Sequence, residues 1–277
     1  MDAAHPSPRL RPQSLTLTFL GNYVLHRDIA VSSASFIALF ARLGVGEHAI
    51  RSTLSRMVAR GLLVRHRDGR RMHFGLTPRS ARILADGEER VWRRSAVNTD
   101  WDGSWTVLAF SLPQSWRRAR HDLRSALTWA GFGPAGNGLW IAPGRVAAGP
   151  IIDGLDVGGR VKVFTGPAEE PTDVAAMIRD AFDLDALAAG YRAFLDRWDR
   201  ADPVPDAPDD LARFLWMTTE WLHLVRADPR LPAEHLPVGW PAVRAQQRLY
   251  ELRDRYERPA RTLADAAIEA IAVPSTR

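Results

Sequence analysis

The sequence predicts an α+β protein in three segments: a winged helix-turn-helix over residues 1–97, a ferredoxin-like βαββαβ domain over 98–172 and a helical domain over 173–277. Three observations carry this. Helical apolar stripes broken by glycines lead into a basic hairpin in the first third. Strand-like and helical runs alternate in the middle, and from Pro171 onward the apolar spacing is helical. At 277 residues the chain exceeds one small core, and 46% hydrophobic with 25% charged residues is ordinary for a globular protein.

Leu15, Leu17, Phe19, Leu20, Val24 and Leu25 form the apolar band of a first helix. Ser32 and Ser33 are N-cap residues for a second, with Phe36, Ile37, Leu39, Phe40 and Leu43 as its buried stripe and Gly44 as its stop. A third helix runs from Glu47 to Arg60, closed by Gly61. At about 100° per residue, Ile50, Leu54, Met57 and Val58 face the core. His48, Ser52, Ser55, Arg56 and Ala59 face outward, with Arg51 at the flank. That outer face is small, polar and basic, and suits a major groove, where arginine reads guanine edges bidentately. Leu62–Arg67 and Arg71–Thr77 flank Asp68-Gly69, a hairpin turn dipeptide. In the second strand Met72, Phe74 and Leu76 alternate with Arg71, His73 and Gly75, which predicts one buried and one basic face. Arg67, Arg70 and Arg71 at the tip make the hairpin a wing that grips phosphates or enters the minor groove.

Thr77-Pro78 opens a fourth helix. Farther on, Trp105–Leu112 reads as a strand and Ser115–Ala130 as a helix, with Arg117, Arg118, His121 and Arg124 opposite its apolar stripe. Pro134–Gly138 reads as a flexible stretch, Leu139–Ala142 as a strand, Val146–Leu155 as a short helix and Arg160–Thr165 as a last strand. The C-terminal third carries helical stripes at 174–198, 211–225, 242–258 and 263–271, separated by proline-rich loops at 199–209 and 228–241.

Charge is divided unevenly. Residues 1–97 hold 16 Arg and no Lys against 7 Asp or Glu, whereas the whole chain carries only +5. A basic first third on an otherwise acidic protein fits a nucleic-acid module. No apolar run approaches the ~18–20 residues that span a bilayer, and prolines stand in the first twelve residues, where a leader needs an apolar run. A cytoplasmic protein with no membrane partner is expected. Zero cysteines exclude disulfides, thiolate zinc sites and cysteine nucleophiles. The sequence has no glycine-rich phosphate loop, no helical histidine pair with a glutamate and no nucleophile elbow, so neither an enzyme nor a resident metal or cofactor is expected. Trp216 and Trp221 read as core residues, and Asp209-Asp210 as an N-cap with a first-turn acid.

On these residues the chain resembles the PaaX family, repressors of phenylacetate catabolism. The likeness lies in the helix Ala49-Ile50-Arg51-Ser52-Thr53-Leu54-Ser55-Arg56 with Arg60-Gly61-Leu62-Leu63, and in Gly69-Arg70-Arg71. It continues in Trp101-Asp102-Gly103-Ser104-Trp105, Gly138-Leu139-Trp140-Ile141-Ala142-Pro143, and Asp228-Pro229-Arg230-Leu231-Pro232 followed by Leu236-Pro237. The resemblance implies a middle domain like the CRISPR adaptation nuclease, a homodimer on palindromic double-stranded operators, and release by an aryl-acetyl-CoA thioester such as phenylacetyl-CoA. Relatives usually carry an acid before the tryptophan and a glycine after the proline of Pro237-Val238-Gly239-Trp240-Pro241-Ala242, so the effector can differ here.

The expected DNA-binding residues are therefore His48, Arg51, Ser52, Ser55, Arg56, Arg67, Arg70 and Arg71. For the effector, Trp140, His223 and Arg226 offer an aromatic wall and positive charge for an aryl group and CoA phosphates. One rival is a metal-dependent nuclease built on the middle domain. Against it, the first strand of that domain ends Ser111-Leu112-Pro113 without the metal-binding acid such nucleases hold there, and Asp102 reads as a turn former. A second rival is a DNA-binding protein without any small ligand.

Overall fold

The computed structural model describes residues 10–155 and 157–274; the proline-bearing stretch before residue 10 lies outside them. In chain order the elements are α1 (Pro12–Tyr23), β1 (Ile29–Ser32), α2 (Ser33–Arg42), α3 (Glu47–Ala59), β2 (Leu63–Asp68), β3 (Arg71–Leu76) and α4 (Pro78–Trp92). There follow β4 (Ser104–Phe110), α5 (Arg117–Trp129), β5 (Gly133–Gly136), β6 (Leu139–Pro143), α6 (Gly149–Ile152) and β7 (Val161–Pro167). The chain ends with α7 (Val174–Ala181), α8 (Leu184–Trp198), α9 (Asp210–Ala227), α10 (Pro241–Ala267) and β8 (Ala270–Ala272). The fold is α+β, with two antiparallel four-stranded sheets among the described residues.

These elements form two compact units. One comprises residues 1–94, 194–222 and 247–277, the other 95–193 and 223–246. The expected boundary after residue 97 lies close to a change of unit. The one after 172 falls inside the second unit, and α8, α9 and α10 each give residues to both.

In the first unit the helix ends follow local chemistry. Ser32 caps α2, its hydroxyl accepting from the Ser35 amide, and Gly44 and Gly61 adopt positive φ where α2 and α3 stop. Thr77 and Ser80 form a reciprocal capping box at the start of α4, with Pro78 at the first helical position. The hairpin turn is Gly69-Arg70, one residue later than expected, because Asp68 pairs with Arg71. Gly69 then takes the first central position with φ +54°, as a two-residue type II′ turn requires.

Two strands here were not foreseen. The sheet order is β2-β3-β1-β8, so β1 flanks the hairpin and the C-terminal β8 pairs antiparallel with β1, Ala30 opposite Ile271. Residues 263–271 are therefore not one helix: α10 ends at Ala267, and the chain then extends. Nor does α10 break at Pro259. Ala242, Ala245, Leu249, Leu252, Tyr256, Ala260 and Ala264 form a continuous buried stripe through it. Burial on both sides of the proline offsets the hydrogen bond its missing N–H removes, a loss of about 3 kcal/mol in an exposed helix.

With β3 central, its expected exposed basic face is also corrected. His73 is 3% exposed and Gly75 is buried. A Cβ on Gly75 would stand 3.0 Å from the His66 imidazole and 3.5 Å from Ala30. Neighbouring strands on both sides fill the space that an edge strand would leave to solvent.

In the second unit the sheet order β5-β6-β4-β7 with α5 and α6 as crossovers is the ferredoxin-like βαββαβ arrangement. The stretch expected to be flexible contains β5, paired to β6. Leu108, Trp140 and Ala142 pack with Leu123, Leu127 and Phe132 on one sheet face, while Trp105 and Ile141 pack with Ile178, Phe182 and Leu231 on the other.

Shortening the chain after Ala267 should destabilise the first unit. It removes the β8 ladder, the bond from the Ser32 amide to the Glu269 carbonyl and that from the Glu269 amide to the Ser35 hydroxyl, both 2.8 Å. At 0.5–1.5 kcal/mol per net hydrogen bond the expected loss is about 1–4 kcal/mol, read as a lower urea midpoint.

Candidate nucleic-acid interface

Helix α3 is anchored by Ile50, Thr53, Leu54 and Met57, all fully or nearly fully buried. This fixes the rotation of the helix. His48, Arg51, Ser55, Arg56 and Ala59 are exposed in consequence, and Ser52 is half-buried. The face is internally ordered. Arg56 donates to the Ser52 hydroxyl at 2.7 Å and to the Thr53 hydroxyl at 3.1 Å, and Arg51 donates to the Glu47 carboxylate at 2.7 Å. Both guanidinium groups sit over the polar face, held by partners weak enough, at this exposure, to be exchanged for a phosphate or a base edge.

The hairpin adds its own cations. Arg65, on β2, donates to the Ser55 hydroxyl of α3 at 3.4 Å. Arg67 donates to the Gly69 carbonyl at 3.1 Å and so closes over the turn, while Arg70 stands exposed at its tip. Arg71 pairs with Glu269 at 3.0 Å. The structure thus brings helix and hairpin cations together on one unit. Arg65 was missed by the sequence reading, although it stands two residues before Arg67 and so on the same side of the strand. Glu269 was missed as well, and only the unforeseen β8 pairing carries it to Arg71.

The three residues expected to hold an effector are not gathered in one site. Trp140 is 7% exposed and its ring is consumed by packing in the sheet core. The exposed indole is instead that of Trp129, 37% exposed, with the Arg226 guanidinium 4.6 Å from its ring centre. His223 is exposed on α9, one turn before Arg226. Thr128 and Ala227, the neighbours of Trp129 and Arg226, line a cavity of about 280 Å³ with Phe132, Phe182, Leu187 and Pro229. That cavity went unread because its walls come from five separate segments.

Asp102 carries no sign of metal chemistry. Its carboxylate accepts from the Ser104 amide at 3.0 Å and the Ser104 hydroxyl at 2.5 Å, and these bonds hold it below the usual carboxylate range. It shapes the turn into β4. Among the described residues no cluster of three or more His, Asp or Glu is placed to hold a metal, and no helix is long and apolar enough to cross a membrane.

Fold and surface define a two-unit α+β protein, one unit with a cationic helix-and-hairpin face and the other ferredoxin-like. The chain belongs to the PaaX family. Residues 11–80 match the PaaX-like protein model, 98–178 the PaaX protein central Cas2-like domain and 182–266 the PaaX-like protein C-terminal domain. It is similar to the transcriptional repressor PaaX of Escherichia coli K12, 28% identical over 247 residues, covering 84% of this chain and 77% of that protein. Among solved structures it is similar to the uncharacterized protein Rv0674 from Mycobacterium tuberculosis, 25% identical with a TM-score of 0.59, covering 92% of this chain and 98% of that one.

Because Trp140 is core, Trp140→Ala should destabilise the second unit by about 3–5 kcal/mol. Thermal unfolding checks this: a variant that melts like the parent protein would mean that the indole is not packed as described.

Proposed function

We propose that this chain is a DNA-binding transcriptional repressor whose residues 12–92 act as a winged helix-turn-helix. One observation carries the reading: α3 presents Arg51, Ser52, Ser55 and Arg56 outward while the adjoining hairpin presents Arg65, Arg67 and Arg70. Helix α3 enters a major groove, where the planar guanidinium groups and serine hydroxyls meet base edges. The hairpin tip lies against the flanking backbone and fixes the register. The printed role of the Escherichia coli relative, a transcriptional repressor, agrees with this.

The protein acts as a homodimer on a palindromic operator, each half-site taking one α3, with the helical C-terminal domain supplying dimer contacts. An aryl-acyl-CoA such as phenylacetyl-CoA releases it. The 280 Å³ apolar cavity is of the size for an aryl group, and Arg226 beside it supplies positive charge for the remainder of the ligand. Release requires only that the thioester bind unequally to the DNA-competent and incompetent states.

Operator binding by fluorescence anisotropy tests the core of this. A dimer making ~6–10 phosphate contacts should lose about 10³–10⁵ in affinity between 50 and 200 mM salt. Arg56→Ala should lose roughly 1–3 kcal/mol on the operator and much less on random duplex; an equal loss on both would reduce Arg56 to a phosphate contact.

The effector is tested separately. A panel of CoA thioesters should contain one that raises the melting temperature and dissociates the operator complex. Indifference of operator affinity to every thioester would leave a constitutive DNA-binding protein.

A further inference from the structure

Helix α5, in the second unit, carries a row of basic side chains that nothing above uses. Arg117, His121 and Arg124 follow one another at i, i+4 and i+7, so they share one stripe, and all three are exposed. Arg118 beside them has 96% of its side chain exposed and only a distant ion pair with Asp122, at 3.8 Å. Among the described residues Arg117, His121 and Arg124 have no hydrogen bond or ion pair.

This differs from the other helices of the chain. Arg51, Arg90, Arg93, Arg253 and Arg261 each stand one turn from an acid and pair with it. On α5 Arg118 has such a partner in Asp122, but Arg120 stands one turn from both Arg117 and Arg124, and the first turn contains no acid. Such placement opposes the helix dipole and repels itself. It therefore favours an external anion over internal stability.

The positive surface does not end with the helix. Arg160 lies 5.1 Å over the ring of Trp116, the residue preceding α5. Arg160 and Lys162, with Ser111 and Asn137, line a depression of about 450 Å³. Residues 104–167 contain seven Arg or Lys against three Asp, so the basic residues of this unit are concentrated in its βαββαβ part while its other segments, taken together, are acidic.

We propose that the α5 face is a second, sequence-independent contact for the phosphodiester backbone of duplex DNA. The stripe from Arg117 to Arg124 is about 10 Å long at 1.5 Å per residue, long enough to reach neighbouring phosphates of one strand. Arginine suits this role, since its planar fork binds phosphate oxygens in pairs. The proposal rests on the reading of this chain as a DNA-binding protein, but it makes its own measurable contribution.

The chain has a single lysine, Lys162, which gives a local probe. Random duplex should protect Lys162 from an amine-acetylating reagent, read by mass spectrometry, and raised salt should abolish the protection. The double variant Arg117→Gln/Arg124→Gln should bind random duplex roughly tenfold more weakly at 100 mM salt and lower the salt slope by about two. Its melting temperature should be unchanged or higher, because the removed charges opposed the helix dipole; a fall would mark the stripe as structural and overturn the proposal. So would unchanged affinity and slope in the double variant, or acetylation of Lys162 at the free rate in the presence of saturating duplex. Protection of Lys162 by anionic vesicles or inorganic phosphate but not by duplex would overturn it in favour of another anion. The α3 reading fails on a different result, an Arg56→Ala protein that binds operator and random duplex as tightly as the parent does.

Discussion

Four phenylalanines hold the first unit in register. Phe19 of α1 meets Phe36 and Phe40 of α2 with ring centres 5.6 and 6.0 Å apart, and Phe36 meets Phe74 of β3 edge-on at 6.2 Å. Phe19, Phe36 and Phe40 are completely buried. Aromatic pairs of this geometry are worth about 0.5–1.5 kcal/mol each beyond the area they bury. Their geometric effect matters more. They fix the first two helices against the central strand of the hairpin sheet, and α3 then has one seat, into which Ile50, Leu54 and Met57 fall. The outward direction of Arg51 and Arg56 is a consequence of that seat.

Much of this was legible because it is local. Gly44, Gly61 and Thr77 state where helices stop and start, and the chemistry of each acts within four residues. The stripe Ile50, Leu54, Met57 gives the rotation of α3 without reference to anything else. The ferredoxin-like order was legible in the alternation of β-rich and helical runs. What escaped depends on long-range pairing. Ile29–Ser32 is four residues long and becomes a strand only because it meets β3 on one side and β8, some 240 residues later, on the other. His73 alternates as an exposed residue should, and is buried because β3 is central. Trp140 offered an aromatic surface in sequence and none in space. Pro259 promised a helix end that two fully buried alanines at 260 and 264 override.

The charges show a related division. In the first unit, cations from the N-terminal segments find acids from the C-terminal ones: Arg27 meets Asp265, Arg42 meets Asp209 and Arg71 meets Glu269, at 2.7 to 3.0 Å. Each is an exposed or half-exposed pair and adds at most about 1 kcal/mol. Their value for function is different. A pair such as Arg71–Glu269 keeps a guanidinium oriented at the hairpin. The basic excess of residues 1–97 is thus partly neutralised by the end of the chain, while Arg56 of α3 and Arg65, Arg67 and Arg70 of the hairpin have no ion pair among the described residues.

This arrangement ties the end of α10 to the cationic face of α3 and the hairpin. Residues 247–274 belong to the same compact unit as α3, and β8 extends the sheet that contains the hairpin. The Glu269 backbone is bonded to Ser32 and Ser35, the residues that cap α2, while its carboxylate holds Arg71 at the hairpin. A displacement of the end of α10 by even one hydrogen-bond length would break these bonds. It would change the start of α2 and the setting of the hairpin together, because one residue serves both. Coupling through a shared residue needs no pathway of intermediate side chains. It requires only that ligand-bound and ligand-free states differ in where α10 ends, and that this difference carries unequal binding free energy for the ligand.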